Sequence, residues 1–349
     1  MSKRLFDIVI GNPPYQASVS SESDNKTYAA PVYNEFMDAA NTVADKVELI
    51  HPARFLFDAG STPKAWNRKM LQDPHFKVLH YEEDATKVFS NTEIKGGVAI
   101  TYHDDEQDYG AIEVFTKYPS LNDILKKVHH SADFRSMSCM VITRTAMRLT
   151  DEMHKEHPEV MEQLSKGHPY DMSTNIFDRA PQLFYDVKPQ DGQKYIQIFG
   201  REKNSRIRKY ILAKYANEPE NLYKYKVHLP SANGNGVFGE VLTQPVLNGP
   251  GIGATETFIS VGICDTKDEA EAVLQYIKSK FLRAMLGVLK ITQHLTPSVW
   301  KYVPLQDFTA SSDIDWTKSV HEIDLQLYRK YGLSKEEIDF IETNVKEMV

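Results

Sequence analysis

Leu5 to Ile10 is an apolar run broken only by Asp7, and Gly11-Asn12-Pro13-Pro14 ends it. A short apolar run closed by turn residues predicts a buried strand, with Asn12 in a loop at its C-terminal end. From Pro31 to Val43 the apolar residues Val32, Phe36, Ala39, Ala40 and Val43 recur at helical spacing. Val47 to Ile50 reads as a second strand, with His51-Pro52-Ala53-Arg54-Phe55 as its exit turn. A helix over Pro63 to Leu71 comes next, then strands over Phe76 to Tyr81 and Gly97 to Tyr102. Strand, loop, helix, strand, helix, strand predicts an α/β fold.

That rhythm is lost past residues 118–135. Beyond them the pattern predicts strands over Tyr195 to Gly200, Lys226 to Leu229, Val237 to Leu242 and Phe258 to Gly262, with Gly, Pro and Asn turns between. Helices are expected over Ser205 to Lys214 and over Lys267 to Lys290. In the latter, Ala270, Leu274, Ile277, Phe281, Met285 and Leu289 form a core-facing stripe, and Asp265 and Thr266 form its N-cap region. A last helix, Lys335 to Val345, has Ser334 and Glu337 spaced as a capping box. No internal repeat is visible.

The loop after the first strand carries the chemistry. In open α/β sheets, ligands bind beyond the carboxyl ends of the strands. Pro13 and Pro14 fix backbone dihedrals and remove two amide donors, so the loop presents carbonyls. The Asn12 side-chain oxygen, the Pro13 carbonyl and the Tyr15 ring suit a planar ligand with an exocyclic amino group: two acceptors take its protons while the ring stacks. The competing reading is an ordinary Asn-Pro turn.

Asn12-Pro13-Pro14-Tyr15 resembles the catalytic loop of the amino-methyltransferases that act on adenine N6 in DNA, and Pro52-Ala53-Arg54-Phe55 and Thr92 to Val98 resemble their later motifs. The end of the chain, Tyr328-Arg329-Lys330-Tyr331-Gly332-Leu333 followed by Glu336-Glu337-Ile338, is similar to that of the Eco57I-like restriction-modification methylases, and the resemblance to this subgroup covers most of the chain. It implies that Asn12 and Pro13 hold the amino group, that Pro14 stiffens the loop, and that Tyr15 stacks on a base flipped from the duplex. Acceptors that draw the amino hydrogens out of plane localise the nitrogen lone pair, so no strong general base is needed.

Such enzymes hold S-adenosylmethionine on a glycine-rich loop between a strand and a helix, normally upstream of the catalytic loop. Only eleven residues precede Asn12, too few for one strand-helix unit. Downstream, Gly249-Pro250-Gly251-Ile252-Gly253 leads into the strand-like Thr255 to Val261 rather than a helix, and Gly234-Asn235-Gly236 reads as a turn. No cofactor-binding residue is assigned, and the catalytic portion is expected to need a second polypeptide, or self-association, to complete the fold.

Composition and charge refine this picture. The chain of 349 residues, 41% hydrophobic and 26% charged, is long enough for two domains with cores. No apolar run is long enough to span a membrane and no signal peptide is read, so a cytoplasmic protein is expected. Cys139 and Cys264 are far apart and are expected to be buried free thiols. His154 and His157, at helical spacing beside Glu152 and Glu156, read as a solvated helix rather than a metal site. The net charge is −7, but residues 1–128 hold 14 basic against 19 acidic side chains and residues 313–349 hold 5 against 9. The middle is therefore slightly basic. Arg201 to Lys226 gathers eight basic residues against three acidic ones, interleaved with four tyrosines. Arg201, Lys203, Arg206, Arg208 and Lys209 are the candidate contacts to double-stranded DNA, since basic side chains bind phosphates and Arg reads guanine edges. A solvated charged surface is the alternative.

The expected architecture is α/β: a partial Rossmann-like methyltransferase sheet (1–128), an α+β target-recognition domain (129–312) and a C-terminal helical tail (313–349). The expected function is site-specific DNA adenine-N6 methylation in a restriction-modification system, as its catalytic and recognition part. A non-catalytic DNA-binding or assembly subunit, and a methylase-like enzyme acting on RNA or protein, are the alternatives.

Overall fold

The computed structural model describes residues 4–16, 30–90, 94, 96–203, 205–290 and 292–348. It is a mixed α/β protein with several sheets, in two compact units, residues 1–122 and 123–349.

The first unit holds strands β1 (Phe6–Gly11), β2 (Ala44–Pro52), β3 (Phe76–Glu82) and β4 (Val98–Asp104), with helices α1 (Tyr33–Val43) and α2 (Lys64–Gln72) between them. The sheet order is β1-β2-β4-β3. β1 runs parallel to β2, Val9 facing Val47, whereas β4 lies antiparallel to both β2 and β3. Hence β1, β2 and β3 end at the same side of the sheet, where β4 begins.

Period-2 alternation gives β2 two faces. Val47, Leu49 and His51 are buried with Tyr33 and Met37 of α1 and Trp66 and Met70 of α2. The apolar stripe of α1 is thus Tyr33, Met37 and Ala40; Phe36 and Ala39, part of the helical spacing read from the sequence, are exposed. Both sets fit the helical period, and the ring of Tyr33 stacked on His51, 5.8 Å between centroids, selects the inward one. Phe55 sits at the centre of this cluster, fully buried; truncating such a phenylalanine costs about 3–5 kcal/mol.

On the opposite face, Ile8 and Ile10 lie beside Lys46 and Glu48. Phe6, Ile8 and Ile10 are 56%, 48% and 70% exposed, and the outer edge of β1 pairs with no strand among the described residues. A strand in a parallel pairing is ordinarily covered on both faces.

Helix α3 (Pro119–His129) spans the division between the units. The second unit contains two sheets. One has the order β10-β6-β7, from β6 (Tyr195–Glu202), β7 (Ser205–Leu212) and β10 (Ile252–Ala254). The other has the order β5-β11-β8-β9, from β5 (Val141–Ile142), β8 (Tyr225–Pro230), β9 (Val246–Asn248) and β11 (Phe258–Cys264). Short helices α4 (Asp151–Glu156), α5 (Val160–Gln163) and α6 (Ile176–Arg179) pack Met153, Val160 and Ile176 against Ile198 and Ile211 of the first of these sheets.

Three expectations change here. Ser205 to Lys214 is mainly strand, not helix, because all eight residues of β7 pair with β6. Val237 to Leu242 is irregular rather than a strand. The long helix over Lys267 to Lys290 is divided into α7 (Lys267–Lys278) and α8 (Lys280–Leu286). Ser279 takes extended dihedrals between them and its hydroxyl caps the Leu282 N–H of α8. The carboxylate of Asp324, on α9 (Val320–Lys330), accepts from the N–H groups of Lys280 and Phe281, so the second helix starts on a fixed acceptor. Buried Ile323, Leu327 and Tyr328 of α9 and Ile341 of α10 (Lys335–Asn344) place the segment 313–349 within the second unit. Both helices carry complete capping boxes, Ser319 with Glu322 and Ser334 with Glu337. Of the cysteines, Cys264 is buried but Cys139 is exposed.

Candidate functional site

The Asn12–Tyr15 loop leaves the end of β1 and is tied back by one backbone bond, from the Val32 N–H to the Tyr15 carbonyl at 3.2 Å, just before α1. Asn12 and Pro14 are exposed, while Pro13 and Tyr15 are half-buried. The Tyr15 hydroxyl is buried and has no hydrogen-bond partner among the described residues. Burial raises its pKa, so the phenol stays neutral.

A second aromatic reaches this loop from the far edge of the sheet. The segment after β3 is opened by Asp84, which accepts from the Thr86 N–H at 3.1 Å. It brings Phe89 edge-on to Tyr15, with centroids 6.2 Å apart and planes at 69°. Sequence reading missed Phe89. Its one signal is an apolar pair, Val88-Phe89, inside a polar turn region. Gly96 and Gly97 close the same end of the sheet at positive φ. A Cβ on Gly97 would meet the Glu82 carbonyl at 2.3 Å, and one on Gly96 would meet the Arg54 side chain at 2.5 Å. The Arg54 and Gly96-Gly97 motifs are thereby brought together; residues 92, 93 and 95 of the expected motif lie outside the described residues.

Neither downstream glycine cluster forms a cofactor loop. Gly249 to Gly253 connects β9 to β10, a strand-turn-strand, and a Cβ on Gly253 would meet Met147 at 2.2 Å. At Gly234-Asn235-Gly236, the Glu240 carboxylate already accepts from the N–H groups of Asn235 and Gly236, at 2.9 and 3.2 Å, and pairs with Lys290. Neither cluster therefore fits S-adenosylmethionine in the strand-loop-helix manner.

The five basic candidates divide between the faces of the β6–β7 ribbon. Arg206 faces Arg201 across the strands and Arg208 faces Phe199, so these share one face with Phe199. Lys203 stands in the connecting turn with φ 46°. Lys209 is on the other face, held by Glu202 and Asp186 at 2.7 and 3.2 Å. Arg206 gives an N–H to the Gln244 carbonyl at 2.6 Å and lies over the Phe258 ring. Burial, with Arg201 nearby, lowers its pKa.

Residues 1–89 match the sequence model of the Eco57I restriction-modification methylases. An "Uncharacterized adenine-specific methylase" of Mycoplasma pneumoniae is 32% identical over 94 residues, which is 27% of this chain and 22% of that protein. Two solved restriction enzymes align with 97% of the chain. The type IIG restriction endonuclease BpuSI does so at 11% identity and a TM-score of 0.34, and the type IIL restriction-modification enzyme MmeI, in complex with DNA, at 7% and 0.31. The chain spans 53% and 56% of those two chains, and so corresponds to only part of the length of each. Among the described residues, no helix is long and apolar enough to cross a membrane.

Proposed function

We propose that the chain is the catalytic and target-recognition part of a DNA adenine-N6 methyltransferase in a restriction-modification system. The observation that carries this reading is the Asn12–Tyr15 loop, set at the carboxyl end of β1 with Phe89 edge-on to Tyr15. A flipped adenine stacks on the Tyr15 ring, with Phe89 bounding the pocket. Its amino hydrogens are accepted by the Asn12 side-chain oxygen and the Pro13 carbonyl. Binding both hydrogens turns the nitrogen lone pair out of the ring plane, the geometry a methyl acceptor needs.

No residue is assigned to the methyl-donor site, and no transfer step is assigned. The donor half comes from a second polypeptide or a further segment that pairs with the outer edge of β1 and covers Phe6, Ile8 and Ile10. An unpaired edge beside an apolar face invites such association. The four-stranded sheet is then the second half of a Rossmann-like fold. The second unit grips duplex DNA through the β6–β7 ribbon, with Arg201, Lys203, Arg206 and Arg208 as contacts; Lys209 contributes only if it leaves its two carboxylates.

A DNA-binding subunit without catalysis is the second reading, favoured by the unsuitable glycine clusters. Tritiated methyl incorporation into duplex DNA from S-adenosylmethionine separates the two, using the full chain alone and with candidate partners. Incorporation lost on Asn12→Ala supports the enzyme; no incorporation with any partner supports the subunit.

A further inference from the structure

Arg208 is held in a way a phosphate contact does not require. Its Nε and Nη2 both donate to Asn248 Oδ1, at 2.8 and 2.6 Å, and its guanidinium lies 5.3 Å over the Phe199 ring. Phe199 is itself stacked on Phe258 at 4.4 Å. The orientation of the Asn248 amide is set by strict donor chemistry. Arginine only donates, so the oxygen of Asn248 faces Arg208. The amide nitrogen must then face His228, whose Nδ1 lies 2.7 Å away and accepts. His228 is therefore neutral with its proton on Nε2, and its burial and the nearby Lys226 and Arg208 push its pKa down to about 3. Asn248 and His228 are buried, whereas Arg208 is exposed.

The chain Arg208–Asn248–His228 fixes the plane of an exposed cation and leaves three of its five N–H groups for a ligand. Charge alone suffices for a phosphate, and a mobile side chain supplies it. A fixed plane is what bidentate recognition of a flat acceptor pair demands. Arg208 pairs with Phe199, the last position at which β10 also pairs with β6, so it stands at the base of a two-stranded ribbon formed by Gly200 to Glu202 and Ser205 to Ile207. The major groove admits a two-stranded ribbon, where guanine O6 and N7 are the acceptors Arg reads.

We propose that Arg208 is a specificity-determining residue that reads a guanine edge in the major groove, with Asn248 and His228 as its positioning residues. This rests on the reading of the second unit as DNA-binding.

The test is selection of bound sequences from a randomised duplex pool by the purified full chain, followed by competition binding of the selected duplexes over a range of salt. The wild type is expected to select a guanine at one position. Arg208→Lys should lose roughly 10- to 100-fold of the preference there, the range for one bidentate pair, with other positions and the salt slope unchanged. Asn248→Asp keeps the acceptor and should keep the preference; Asn248→Leu should lose it, circular dichroism confirming that each variant is folded. Retained preference in Arg208→Lys overturns the proposal. So does weakening by Arg208→Gln that is equal for all sequences and lowers the log–log salt slope by nearly one, the mark of a phosphate contact. A wild type that binds duplexes without preference overturns guanine reading and leaves DNA binding standing; one that binds no duplex overturns both.

Discussion

Phe89 meets Tyr15 edge to face, 6.2 Å between ring centroids, although the strands before these residues lie at opposite edges of the sheet. In the proposed function the two rings bound the site for one flat ligand. Tyr15→Ala should weaken a flipped base by roughly 1–3 kcal/mol, the range for base–aromatic stacking, read as a loss of 2-aminopurine fluorescence enhancement at the target position. Asn12→Ala should abolish methyl incorporation and leave duplex affinity within about twofold, because one acceptor is removed while the prolines keep the loop. Wild-type incorporation by Asn12→Ala would place the active site elsewhere.

The exposed face of β1 predicts association. Ile8→Lys and Ile10→Lys replace side chains in contact with solvent, so the melting temperature should hardly change. Sedimentation of the wild type should show self-association, or capture of the partner that confers methylation, and both variants should lose it. A wild type that stays monomeric and binds S-adenosylmethionine stoichiometrically would refute a donor site supplied from outside the described residues.

Salt dependence distinguishes the faces of the β6–β7 ribbon. Arg206→Glu should weaken duplex binding and reduce the log–log salt slope by about one for each phosphate the side chain no longer neutralises. Lys209→Glu should change the slope less, since Lys209 already faces Glu202 and Asp186. Identical slopes in wild type and Arg206→Glu would mean that this surface does not meet the phosphate backbone.

Two buried histidines, one in each unit, set an acid limit on stability. Burial lowers the pKa of His51 to about 4 and that of His228 to about 3, against an ordinary 6.5. Below 6.5 the unfolded chain takes up protons that the folded chain refuses, so stability falls with falling pH down to those values and is level above about 6.5. The urea midpoint should therefore drop between pH 6.5 and 4, with neither imidazole titrating near neutrality by NMR. Asn248→Asp should raise the His228 pKa, because a carboxylate oxygen then faces Nδ1.

Much of the first unit was legible in the residues. The apolar run before Gly11, the paired prolines and the helical spacing after Pro31 are local signals, and β1, the loop and α1 form where those signals place them. β1 is not the buried strand expected, however, since Phe6, Ile8 and Ile10 are exposed. The capping box read at Ser334 is equally local, three residues from donor to acceptor, whereas the one at Ser319, of the same spacing, was not read. What the sequence misjudged depends on partners distant in the chain. Ser205 to Leu212 contains helix formers enough to read as a helix, but its ladder with β6 decides the matter, as cross-strand packing commonly overrides intrinsic preference. The placement of β4 between β2 and β3, the return of Phe89 to Tyr15, and the fixing of Arg208 by Asn248 and His228 are of the same kind. Local spacing determines which backbone conformation a short segment favours. Which segments then meet is set by burial and hydrogen bonding summed over the folded chain, and that sum exists only in three dimensions.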